Sequence, residues 1–398
     1  MAGKALALPL ALLLLIVAAQ AQTETVLYNF AGSPDGANPE SGLTSDGKGN
    51  FYGTTLGGGQ FGGGTVYELS PNGSGGWNET VLYNFCSVAP YCADGKFPDG
   101  PVTLDNVGNL YGTTESGGTS EYGYGVAFEL SPVAGSWEET VLYDFGDGAY
   151  YPRGRLIFDQ VGNLYGMAGV VFEMSPDGSG GWTEQVINNG ANEGDYYEAI
   201  TMDSAGNIFG VTNNTFSGVY ESAVFELSPN GNGGWNQKVI YSHAGQHNGY
   251  FWMTAPALGP DGNLYGTTMS GTRYQGHEAV YKLTLETKGT KKGDWTEKVV
   301  YSFPRFNLSE KGTFPLSPGV TLDTAGNIYG STVLGVQTVF ELTPASKGSY
   351  TENTLWTFNG TDGSDPLGTL TMDNEGNLYG TALFGGSGGN GVVFEVTP

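Results

Sequence analysis

Three consecutive segments decide the fold: Val102-Thr-Leu-Asp-Asn-Val-Gly-Asn-Leu-Tyr-Gly112, then Ala127-Phe-Glu-Leu-Ser-Pro132, then Trp137-Glu-Glu-Thr-Val-Leu-Tyr-Asp-Phe145. Working outward, Asp-x-x-Gly-Asn followed by an apolar residue, Tyr or Phe, and Gly ends at Gly53, Gly112, Gly166, Gly210, Gly330 and Gly380. A variant ending at Gly266 has Gly259 in the Asp place and makes the seventh copy. The second motif also occurs seven times, starting at Val66, Ala127, Val171, Val224, Val280, Val339 and Val393. The third begins at Trp77, Trp137, Trp182, Trp235, Trp295 and Tyr350, and a copy without Trp spans Thr23 to Phe30.

Each segment is short, rich in Val, Leu, Thr, Tyr and Phe, and bounded by Gly, Pro, Asn or Asp, which is the signature of a β-strand. A weaker segment, such as Leu43-Thr44-Ser45 or Leu370-Thr371-Met372, precedes each Asp. We letter the strands A (ending at the Asp), B (Asn-Leu-Tyr-Gly), C (Val-Phe-Glu-Leu) and D (Val-Leu-Tyr-x-Phe). The 398 residues less a 21-residue leader divide into seven units of about 54, the size of a propeller blade. The expectation is an all-β, seven-bladed propeller with four antiparallel strands per blade. Because the repeats open with D and end with C, strand 24-30 must complete the blade of 369-397. Residues 22-398 then form one domain.

These repeats resemble the GloVer tandem-repeat proteins, named for Gloeobacter and Verrucomicrobia, because three motifs recur together in fixed order. The resemblance implies an exported bacterial protein and a repeat architecture. It implies no active site, since the family's biochemical function is undefined. Its members often continue into a surface-anchoring segment, whereas this sequence ends at Pro398 right after its last strand, so a secreted or periplasmic location is expected. The Asp-x-x-Gly-Asn-Leu-Tyr strands also look like those of other propellers, including lactonase-like enzymes.

Composition narrows the partners. With 40 acidic and 15 basic residues the net charge is -25, which opposes nucleic acid and anionic membrane surfaces. Glycine is abundant, at 67 residues, but 24 Tyr, 20 Phe and 7 Trp can bury a core, so disorder is excluded. Lys4, the apolar run Ala5 to Ala19 and Ala19-Gln20-Ala21 read as a signal peptide over 1-21. That run is shorter than the roughly 20 residues needed to span a bilayer, and no membrane insertion is expected. In an oxidising compartment Cys86 and Cys92 are expected to form a disulfide.

The Asp-x-x-Gly-Asn carboxylates could serve calcium or close an A-B hairpin, and turn chemistry favours the hairpin. Gly385-Gly-Ser-Gly-Gly389 matches a nucleophile elbow only formally, because that motif needs a strand before it and a helix after it. Alternating strand direction puts the A-B and C-D turns on one face, and the D-A and B-C loops on the other. The turn face repeats almost monotonously, whereas the loop face varies, and loops on a rigid scaffold carry binding. The four arginines and three histidines all fall in these loops or at adjoining strand ends.

The candidate binding residues are Arg153, Arg155, Tyr196, Tyr197, His243, His247, Tyr250, Trp252, Arg273, Tyr274 and His277. Neighbouring loop aromatics include Tyr91, Phe97, Tyr122, Tyr124, Tyr150 and Tyr151. Rings interleaved with amides and carboxylates suit sugars, which offer apolar faces and hydroxyl edges, though such rings also plug blade tops. Arg155 stands where other repeats have Gly42 or Gly368, and either binds a ligand carboxylate or pairs with the protein's own. No cofactor is expected. If a metal binds, His243, His247 and His277 are its candidate donors. The leading expectation is a binding module for carbohydrate or a surface protein. The competing classes are a hydrolase or lyase on sugars or lactones, using Asp195, Glu198 or Glu278 with His243, His247 or Arg155, and a purely structural envelope protein. Oligomeric state is not legible.

Overall fold

The computed structural model describes residues 22-146, 148-188, 199-216, 219-244, 251-270, 279-289, 292-303, 313-314 and 319-398. It is a seven-bladed β-propeller. In blade 1 the strands A to D are Thr44–Ser45, Phe51–Thr55, Thr65–Pro71 and Trp77–Asn84. Blade 2 runs Thr103–Leu104, Leu110–Thr113, Val126–Val133 and Ser136–Asp144, and blade 3 runs Arg153–Phe158, Leu164–Met167, Val171–Pro176 and Trp182–Val186. Blades 4 to 6 repeat the order, with the A strands Thr201–Met202, Ala257–Leu258 and Thr321–Leu322. In blade 7, Thr23–Asn29 supplies strand D and pairs antiparallel with Val392–Thr397. The ring is therefore closed by hydrogen bonds between the two ends of the repeat array, and no blade is left with an open edge at the seam.

Among the described residues the core is not one cluster but seven, each shared by two neighbouring blades. Period-2 alternation explains it: in strand B, Leu110 packs toward blade 1 and Tyr111 toward blade 3. The glycine after the Tyr has a specific reason. A Cβ on Gly112 would lie 2.6 Å from the Phe128 ring of strand C, and one on Gly166 would lie 2.5 Å from Phe172. A bulge in strand D recurs, for instance between Val66 and Tyr67 on the C side, so that Val81 and Tyr83 face consecutive C residues. The extra residue turns into the blade junction, as Leu355 and Val300 do.

The A-B turns behave as hairpins. Asp105 Oδ1 accepts hydrogen bonds from the amides of Val107, Gly108 and Asn109, while its Oδ2 accepts from the Asn109 side chain. Blade 5 carries a compensated variant: with Gly259 in the usual place, Asp261 accepts from Tyr265 Oη at 2.9 Å and from Lys282 Nζ at 2.7 Å. Lys282 occupies the strand-C position that is Glu in the other blades, so the displaced acid and the lone base belong together.

Near the axis, hydroxyls stitch blade to blade. Thr44 donates to the Val102 carbonyl, Thr103 to Leu156, Thr321 to Leu370 and Thr371 to Leu43. Blade 3 has Ile157 at this position, which has no hydroxyl to donate.

Candidate functional site

The backbone of the loop face is more regular than its sequence suggests. Each described D-A loop pairs with the B-C loop of the blade it enters: Gly36-Ala37 with Gly57-Gly58, Lys96 with Ser116, and Ser364 with Phe384. The recurring element is Asp-Gly-x-x-Pro, at Asp35 to Pro39, Asp94 to Pro98 and Asp362 to Pro366. Its Asp is bound back by its own loop. Asp94 accepts from the amides of Ser87 and Val88 and from Tyr83 Oη, and Asp35 accepts from the Ala31 amide and Tyr28 Oη. The residue before Pro takes positive φ, at Asn38, Phe97, Tyr151 and Asp365. Cys86 and Cys92 form the disulfide, within the loop that holds Asp94.

With the backbone fixed, side chains just after the Pro are delivered to the rim: Glu40, Asp99 and Arg153. Arg153 Nη2 bonds Glu115 at 2.6 Å and its Nε lies 3.3 Å from Asp99. Burial raises the Glu40 carboxyl, and Asp99 and Glu115 add to it against the opposing pull of Arg153, so its pKa reaches about 7. Burial also raises Asp99, again opposed by Arg153. One guanidinium thus serves three acids, and Glu40 holds its proton near neutrality.

Beside this charge cluster stands an aromatic one. Tyr122 and Tyr124 from the B-C loop of blade 2 meet Tyr150 and Tyr151 from the next D-A loop. The ring centroids are 5.3 Å apart for Tyr122 and Tyr124, 5.9 Å for Tyr124 and Tyr150, and 5.4 Å for Tyr124 and Tyr151. The Tyr151 amide donates to the Tyr124 carbonyl, which locks the two loops together. Tyr122 is 63% exposed and Tyr150 and Tyr151 are each 45% exposed, so these rings do not plug a blade top.

Of the arginines, Arg153 pairs with the protein's own acids, whereas Arg155 donates to the Leu43 carbonyl at 3.4 Å. Register corrects the position of Arg155: Ile157 pairs with Tyr165 as Thr44 does with Tyr52 and Thr371 with Tyr379, so its counterparts are Gly42 and Thr369 rather than Gly368. The His243 backbone pairs with Ser222, and that of Trp252 with Met269. Tyr196, Tyr197, His247, Tyr250, Arg273, Tyr274 and His277 lie outside the described residues, as do Asp195, Glu198 and Glu278. Sequence reasoning missed Glu40, Asp99 and Glu115 as site residues. The signal that would have found them is the repeated Asp-Gly-x-x-Pro, visible once the loops rather than the strands are aligned.

Fold and rim together define a class: a propeller repeat protein that presents charge and exposed aromatics on its loop face. The chain belongs to the Gloeobacter/Verrucomicrobia repeat family, whose model matches residues 14-168 and 252-398. No curated protein matches. Among solved structures, an ulvan lyase of polysaccharide lyase family PL25 is similar both with -[GlcA(1-4)Rha3S]- bound and without it. The TM-scores are 0.56 and 0.57 at 10% identity, covering 94% of this chain and 95% of that one. The gluconolactonase XC5397 from Xanthomonas campestris covers 94% of this chain and 89% of its own at 14% identity, with a TM-score of 0.44. At these identities the likeness is one of fold.

Proposed function

We propose that this protein is a binding module whose loop face takes carbohydrate. The observation that carries the reading is the four-tyrosine cluster at the blade 2-3 rim, in which Tyr122, Tyr150 and Tyr151 are exposed around a partly buried Tyr124, in the same loops that supply Arg153 and Glu115. Exposed rings offer flat apolar area to sugar C-H faces, and adjacent charged groups take the hydroxyls. The family propeller is the rigid support, and a propeller of this fold, the ulvan lyase, has been solved with a saccharide chain bound. We place the mature protein outside the cytoplasm. The apolar leader over 1-21 and the Cys86–Cys92 disulfide support that location. No helix among the described residues is long and apolar enough to cross a membrane.

The second reading, a hydrolase or lyase on sugars, is favoured by one feature: Glu40, with a pKa of about 7, is poised as a proton donor or acceptor beside Asp99. A glycan array probed with residues 22-398, with product formation monitored on every hit, separates the two. Saturable binding without turnover supports the module, and turnover that is lost in Glu40→Gln supports the enzyme. Silence on all saccharides overturns both.

A further inference from the structure

Among the described residues, Arg155 is a cation whose surroundings stand out. It is the third residue of the innermost strand of blade 3, Arg153–Phe158, at the position held by Gly42 in blade 1 and Thr369 in blade 7. There the inner strands approach closely, since a Cβ on Gly42 would lie 2.6 Å from the Thr369 carbonyl. Arg155 instead extends past blade 2 to the Leu43 carbonyl of blade 1 at 3.4 Å, an oxygen that already accepts from Thr371 at 2.7 Å. Solvent still reaches part of the side chain. Burial alone acts on its pKa, and lowers it. Among the described residues no carboxylate forms an ion pair with it. Two residues earlier, Arg153 has both Asp99 and Glu115.

The contrast has a chemical meaning. A guanidinium carries five donors in a planar fork, and Arg155 commits one of them, at long range, to a carbonyl that is already occupied. An enclosed charge without a counter-ion is costly. In a protein with 40 acidic residues, a partner acid would be easy to supply. Among the described residues the place of the counter-ion is left open to something else.

We propose that Arg155 receives the carboxylate of an acidic saccharide, a uronate, whose rings lie on the Tyr122–Tyr124–Tyr150–Tyr151 cluster; this deepens the carbohydrate reading and rests on it. Tyr151 and Arg155 are four residues apart in one segment, so their Cα atoms are separated by at most about 14 Å, within reach of a short oligosaccharide. Two parallel N-H···O bonds to a carboxylate match the guanidinium fork, whereas a neutral sugar offers no such partner.

The test is calorimetric titration of the intact protein with galacturonate, glucuronate and mannuronate oligosaccharides and with their methyl esters, which keep the shape and remove the charge. Wild type, Arg155→Gln, Arg155→Lys and Tyr151→Ala are compared after thermal unfolding has shown each to be folded. The expected result is that at least one acid binds wild type about 10- to 100-fold more tightly than its ester. Arg155→Gln then abolishes that preference, Arg155→Lys keeps part of it, and Tyr151→Ala weakens acid and ester alike. Equal binding of acid and ester by wild type, or a preference that survives in Arg155→Gln, overturns the inference and leaves the carbohydrate reading standing. If wild type binds none of the saccharides, both fall.

Discussion

The two faces of this propeller use the same residue for different ends. On the turn face, the Asp of each Asp-x-x-Gly-Asn hairpin is occupied by its own turn, as Asp105 and Asp323 are by local amides and an Asn side chain. On the loop face, Asp35 and Asp94 are equally occupied by their own loops, but the chain then continues past a Pro and places Glu40 and Asp99, both largely buried, near Arg153 rather than in a local turn. The repeat therefore builds both faces, and specialisation enters only at the residues that follow it. A repeated backbone with unrepeated side chains is what a modular recognition surface requires.

The comparison can be broken first at the scaffold. Deleting residues 22-30 removes strand D of blade 7 and exposes the edge of Val392–Thr397. The truncated protein is expected to lose cooperative unfolding altogether, as read by near-UV circular dichroism on heating. Next in size is Gly112→Ala, which drives a methyl into the Phe128 ring and should cost about 2 kcal/mol in urea unfolding. The same substitution at Gly62 on the loop face meets no atom within 4 Å and has only its positive φ to strain, so about 1 kcal/mol is expected there.

A smaller effect sharpens the role of the blade junctions. Burial, with Asp362, Asp35 and Asp94 as the secondary causes, raises Glu24 to about 7, Glu79 to about 7 and Glu139 to about 8. The native state holds these protons while the unfolded chain releases them near 4.5, so stability is full below that pH and is lost as pH rises toward 8. Thermal midpoints should be a few degrees higher at pH 5 than at pH 8, and replacing all three by Gln should flatten the profile. A profile unchanged by that triple substitution would contradict the assignment. The smallest effect is expected for Lys282→Ala. The partner Asp261 is partly desolvated, but hydrogen bonds from Lys282, Asn263 and Tyr265 hold its pKa down to about 2. As an exposed pair it should contribute under about 1 kcal/mol.

The fold was legible because its determinants are local and repeat: Leu-Tyr-Gly sets which rings face which blade, Asp-x-x-Gly-Asn sets the hairpin, and the leading Thr23 to Phe30 segment sets the closure. The disulfide was legible from spacing and compartment. The rim was legible only in part. Tyr122, Tyr124, Tyr150 and Tyr151 stood out by residue type, but their mutual contact depends on two loops from different blades, which no local pattern encodes. The different fates of Arg153 and Arg155, two residues apart, follow from strand geometry that sends one to Asp99 and the other toward Leu43. Glu40 was passed over because its raised carboxyl depends first on burial and then on Asp99, distant in sequence and brought close only by the ring.

The central claim is that binding belongs to the loop face of blades 2 and 3 and not to the turn face. It is tested most directly by titrating a saccharide identified on the array into wild type, Tyr151→Ala and a turn-face control, Val161→Ala, which alters a residue 82% exposed on the opposite side. The account predicts at least tenfold weaker binding for Tyr151→Ala with unchanged thermal stability, and wild-type affinity for Val161→Ala. Equal affinity in all three proteins would contradict it.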